Sequence, residues 1–199
     1  MTANVAQAQP SLVDPDNCLA ESDHPMLANP VPAGADSDEP PHPVNWNLLT
    51  ADQAEAEWLD LNAWVNWLRR TYGLPPTVIP PYWHRHDELV WELSALHTHW
   101  LNAYDPDGSA SAPLAWHRDF ADARHRLREW VSTCGTKLDR DRPTRLTTWP
   151  GEDPPHATTS EVLIENRDAD FVAYVLHDTA ARRQAEQHAQ AITGAFAAS

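Results

Sequence analysis

Eleven histidines are the residues of this chain with the widest chemical reach, and they cluster in two places, His84-Arg85-His86-Asp87-Glu88 and His97-Thr98-His99. Imidazoles beside carboxylates can hold a transition metal or move a proton near neutral pH. Chelation from one helix needs donors at i and i+3 or i+4, whereas the i, i+2 spacing of both clusters turns the rings about 200° apart. No His-Glu-x-x-His occurs, the single Asp122-Ala-Arg-His125 falls opposite the expected core face, and the one Glu-x-x-His, Glu21 to His24, lies in the amino-terminal segment. Surface or packing histidines are therefore expected, with no catalytic residue and no cofactor. One metal-dependent alternative stays open at His84, His86 and His117, since a non-helical backbone at the start of a helix could converge the first two rings.

Other catalytic signatures are missing from the sequence. There is no Gly-x-Ser-x-Gly, no P-loop and no Gly-x-Gly-x-x-Gly, and the chain has six glycines in all. Cys18 and Cys134 belong to no Cys-x-x-Cys pair, so they read as plain thiols. Non-covalent binding is the better-supported class, and two surfaces are candidates for it.

The first candidate is aromatic. Ten tryptophans are many for 199 residues. Trp58, Trp100, Trp116 and Trp130 fall on expected core stripes, but Trp67 and Trp91 project well off theirs. Either their helices are buried on two sides, with a fourth helix covering these rings, or Trp67 and Trp91 bind a protein partner. The second candidate is basic: Arg124, Arg126, Arg128, Lys137, Arg140, Arg142 and Arg145 give residues 124–145 seven basic side chains against three acidic ones. That segment could bind nucleic acid, although the interleaved Glu129, Asp139 and Asp141 blunt its field and favour a salt-bridged exposed face.

Amphipathic helices must position these groups. Thr50-Ala51-Asp52-Gln53 matches a capping box, and Trp58, Leu61, Val65, Leu68 and Tyr72 then follow steps of 3, 4, 3 and 4 until Gly73, Pro75 and Pro76 stop the helix. Tyr82 to Tyr104 places Leu89, Leu93, Leu96, Trp100 and Tyr104 on one face, ending at the turn Asp105-Pro106-Asp107-Gly108. Pro113 to Cys134 aligns Trp116, Phe120, Ala123, Leu127, Trp130, Val131 and Cys134, with Gly135 as a carboxyl-terminal cap. After a Pro-rich break, Ser160 to Glu165 suits a short extended piece, and Asp170 to Ala191 reads as a fourth helix that docks by its apolar first half.

The expected fold is all-α, a small three- to four-helix bundle with a disordered acidic, Pro-rich amino-terminal tail. Its divisions are a tail over 1–43, a three-helix core over 44–135, a Pro-rich linker over 136–160, a carboxyl-terminal helix over 161–192 and a disordered end over 193–199. The tail holds seven of the 29 acidic residues, no Lys or Arg, and eight of the 18 prolines. So little apolar surface cannot offset the entropy of ordering. The longest apolar run, Phe171 to Leu176, is six residues, far short of the roughly 20 that a spanning helix needs. The amino terminus shows neither a basic n-region nor an apolar h-region, which predicts a cytoplasmic protein with no membrane role.

The run from Trp83 to His97, with Trp100 and Tyr104 and then Trp116-His117-Arg118-Asp119-Phe120, resembles an actinobacterial family of unknown function whose members tend to be encoded on plasmids, integrated conjugative elements and phages. The resemblance covers about residues 44–185, and its specific part is the Trp-His pairs with the intervening Leu-Ser-Ala-Leu. It implies a helical domain in a mobile-element setting and carries no assigned reaction. The function expected from residues and resemblance together is that of a non-enzymatic accessory protein acting through a protein partner.

Overall fold

The computed structural model describes residues 41–144, 147–153 and 161–197. Most of the expected acidic tail, residues 1–40, lies outside the described residues, as does Arg145. Four helices form the body: α1 (Ala51–Thr71), α2 (Asp87–Ala103), α3 (Ala112–Thr133) and α4 (Arg167–Ala197). A 3-10 turn at Trp83–Arg85 precedes α2, and a two-stranded antiparallel sheet, β1 (Arg140–Asp141) with β2 (Val162–Leu163), lies between α3 and α4. The expected helical bundle is therefore what the chain forms.

Local chemistry sets most of the boundaries. The Thr50 capping box is complete, the hydroxyl accepting from Gln53 N–H at 3.3 Å and the Gln53 side chain accepting from Thr50 N–H at 3.0 Å. Gly73 follows α1 at φ +58°, a left-handed conformation that costs a side-chain-bearing residue about 1 kcal/mol or more. α4 begins three residues earlier than the periodicity suggested, because the Asn166 side chain accepts from the N–H groups of both Asp168 and Ala169 at 3.0 Å. Gly135 departs from expectation. It is not left-handed, and what it supplies is room, since a Cβ there would stand 1.8 Å from the Cγ of Arg142.

Two further differences come from packing. The stretch from Tyr82 is broken at His86, which is extended (φ −126°, ψ 105°), so α2 starts only at Asp87. Trp130, expected in the core, is 43% exposed. Leu127, Val131 and Cys134 hold the inward track of α3 at steps of 4 and 3, and Trp130 sits about 100° aside from Val131.

α1 is covered twice, by α2 on one side and by α4 on the other. That double burial explains Trp64, fully buried and absent from the predicted stripe. On the α4 side, Trp58 forms the centre of an aromatic group with Trp46 at 4.4 Å, Tyr174 at 5.5 Å, Trp83 at 6.1 Å and Phe171 at 6.3 Å between ring centres. On the α2 side, Trp64 faces His97 at 4.9 Å, and Trp67 faces Trp100 at 5.0 Å. Polar clasps fix α4 along α1. Arg182 donates to the carbonyls of Trp46 and Leu49 and to Asp178, Trp58 Nε1 donates to Asp178 at 3.0 Å, and Glu186 accepts the free Ala51 N–H at 2.7 Å.

Candidate functional site

The extended backbone at His86 sends the neighbouring imidazoles to different elements. His84 is wholly buried against the rings of Phe171 and Tyr174, and its Nε2–H donates to Asp170 at 2.9 Å. Arg85 donates from Nε and Nη2 to the same carboxylate, so Asp170 already has a full cationic partner. Burial of Asp170 works against ionisation, and the hydrogen bonds from Arg85 and His84 outweigh it, holding the carboxyl below its ordinary range. The Nδ1 of His84 has no hydrogen-bond partner among the described residues. A second proton there would be a buried donor without an acceptor, and burial accordingly drives the ring's pKa down to about 4 despite the carboxylate. His84 is thus a neutral Nε2–H tautomer that ties the start of α2 to α4.

His86 turns the other way, towards the sheet. Its Nε2 meets Asp141 Oδ1 at 2.9 Å and its Nδ1 meets Thr144 Oγ1 at 2.9 Å, while the Thr144 hydroxyl donates to Glu88 at 2.7 Å. The hydroxyl has one proton and gives it to Glu88, so its oxygen faces Nδ1 of His86 as an acceptor. This ring ties β1 and the residues after it to the amino end of α2. The stretch read as a linker therefore supplies Asp141 and Thr144, partners 55 and 58 residues away in sequence.

His117 is exposed on α3 and pairs with the Tyr72 hydroxyl at 3.0 Å. The three candidate metal residues, His84, His86 and His117, are thus committed to three separate sets of partners. Among the described residues no group of three or more His, Cys, Asp or Glu side chains is placed to share an ion. His97 is buried between Trp64 and Trp100, with its Nε2 3.7 Å from Asp60, and burial lowers its pKa.

The six basic candidates among the described residues do not form one free field. Arg126 pairs with Glu92, Lys137 with Glu161, and Arg140 with both Asp139 and Glu161. Arg124 lies over the Phe120 ring at 5.4 Å, Arg128 donates to the Arg124 carbonyl, and Arg142 packs across Gly135. Arg126, Lys137 and Arg140 are thus neutralised by nearby acids, from α2 and from the segments that form the hairpin.

The two candidate aromatic residues separate. Trp67 is half-buried, tilted against Trp100 and meeting Tyr72 edge-on, so α2 and the end of α1 cover it. Trp91 is 40% exposed on α2. The fourth helix makes no contact with α2, and the rings that meet Trp67 are Trp100 and Tyr72, neither of them on α4. α2 and α3 run antiparallel, as the pairs His99–Asp119 and Glu92–Arg126 show, which brings exposed Trp130 level with the first turn of α2, within about one turn of Trp91. Sequence reasoning missed this second exposed ring, and the spacing of Leu127, Val131 and Cys134 was the signal that could have found it.

One further feature escaped the sequence altogether. A cavity of about 450 Å³ opens between the carboxyl end of α1, the loop that follows it and the amino end of α4, lined by Leu74, Ile79, Pro80 and Trp83 and rimmed by Arg69, Arg70 and Arg167. Its parts come from residues 65–83, from Leu138 and from residues 166–168, none of which carries a motif. No helix among the described residues is long and apolar enough to cross a membrane. Comparison with family models, curated proteins and solved structures gives no match, so the family resemblance rests on the residues between Trp83 and Phe120 alone.

Proposed function

We propose that the chain is a non-enzymatic binding protein that engages a protein partner through the outer face of α2 and α3. The observation that carries this reading is the pair Trp91 and Trp130, left 40% and 43% exposed although the bundle buries most of its other large rings. Tryptophan is the side chain most enriched where binding energy concentrates, because it removes a large apolar area from water and keeps one donor for orientation. The Arg126–Glu92 ion pair, adjacent in sequence to Trp91 and one helical turn from Trp130, offers polar groups for the rim of such a contact. The family resemblance supplies the setting, a mobile genetic element, in which the partner would be a component of transfer or maintenance.

Replacing Trp91 by a photo-crosslinking phenylalanine analogue in the native host tests this. One discrete adduct at position 91, diminished by Trp130→Ala and missing when the analogue is placed at Leu48, which is 77% exposed, is the expected result. Adducts at position 91 indistinguishable from those at position 48 would remove the proposal.

A further inference from the structure

We propose that the cavity beside the carboxyl end of α1 binds a small organic anion, a compact apolar body carrying one carboxylate, sulfonate or phosphate group. Its volume of about 450 Å³ suits a small molecule. Val65, Leu74, Ile79 and Trp83 make an apolar wall, all four of them buried. Around the mouth stand Arg69, Arg70 and Arg167 against a single lining carboxylate, Asp168, which already pairs with Arg167. Among the described residues neither Arg69 nor Arg70 has an ion pair or a side-chain hydrogen bond, so two guanidinium groups border the cavity with nothing to neutralise them.

The wall selects as well as the rim. Trp83 belongs to the cavity lining and offers aromatic surface to an apolar body. The helix dipole accounts for positive charge in the last turn of α1. It does not account for the apolar pocket that both arginines border. Two unpaired guanidinium groups at the mouth of an apolar wall together select an anion with an apolar body over a cation, a sugar or a neutral polar ligand. The cavity shares no residue with the surface around Trp91 and Trp130, so the two sites stand or fall separately.

The test uses the full chain, with anilinonaphthalene sulfonate as the anionic probe and phenylnaphthylamine as its uncharged counterpart, both followed by fluorescence titration. Arg69 and Arg70 are exposed, so the double variant Arg69→Gln with Arg70→Gln keeps the fold, as circular dichroism will verify. One saturable site for the sulfonate is expected, weakened at least about tenfold in the double variant by loss of the charge-assisted contacts. Arg70→Lys should bind with intermediate affinity, and the uncharged probe should not respond to any of these changes. In a two-dimensional NMR spectrum, the indole signal lost in Trp83→Phe should be among those that move on addition of the sulfonate. Equal affinity of wild type and double variant, or no saturable site at millimolar probe, would overturn the proposal.

Discussion

Acid should weaken this fold by a predictable amount through one residue, His84. An unfolded histidine takes up its proton near pH 6.5, while burial holds the folded ring neutral down to about pH 4. Between those values the unfolded chain binds more protons, so stability rises with pH. The contribution is fully present above pH 6.5, is lost as pH falls towards 4, and changes no further below that. A displacement of this size corresponds to about 3 kcal/mol. His97, also held below its ordinary value by burial, acts in the same direction. The informative comparison is therefore with His84→Gln, whose amide can still donate to Asp170 and which does not titrate. Urea denaturation of both proteins across pH 7.5 to 4, read by circular dichroism, should show the wild type losing about 3 kcal/mol more than the variant. Parallel stability curves would refute the assignment of His84 as a buried neutral ring.

The clasp between α4 and α1 gives a second expectation. Arg182→Ala removes two bonds to carbonyls and one to Asp178, and should lower stability by about 2 to 3 kcal/mol in chemical denaturation; a change below about 0.5 kcal/mol would mean that the clasp is incidental. Trp58→Ala empties the centre of the aromatic group and should cost about 3 to 5 kcal/mol, against under about 1 kcal/mol for Trp91→Ala in the same assay. Gly73→Ala meets open space but a left-handed backbone, so thermal unfolding should report a loss of about 1 kcal/mol from strain alone. Burial raises the pKa of Cys134, and its alkylation at pH 8, followed by mass spectrometry, should be at least about tenfold slower in the native protein than in denaturant.

How much of this was legible depended on the distance over which each feature is determined. α1 is written locally: Thr50 and Gln53 close its start, Gly73 ends it, and the apolar spacing between them is regular. The fourth helix was legible in kind but not in length, because its start is set by the Asn166 side chain, a cap that apolar periodicity does not register. Trp64 was left off the stripe of α1 and Trp130 was placed on that of α3 for a shared reason. A stripe drawn on one helix assumes one neighbour, while α1 has two and the flank of α3 at Trp130 has none.

The histidines show where sequence reading stops. The i, i+2 spacing argued against a shared ligand on one helix, and the extended backbone at His86 was the open alternative. It does free the rings from helical geometry, but it aims them apart. Asp170 lies 86 residues from His84 and Asp141 lies 55 from His86, and nothing in either segment advertises the pairing. The cavity beside Arg69 and Arg70 was illegible for the same reason, since its lining joins residues 65–83 to Leu138 and to residues 166–168. Residues 1–40 lie outside the described residues and take no part in these comparisons.

The central claim is that His84 and His86 are ties between elements, holding α4 and the hairpin to the amino end of α2. Nitrogen-15 NMR of the imidazole rings, recorded on tag-free full-length protein before and after one equivalent of zinc, addresses it most directly. The account predicts a neutral Nε2–H ring for His84 at pH 7, with the signals of His84 and His86 unmoved by the metal. Coordination shifts at either ring, with zinc retained through dialysis, would contradict it.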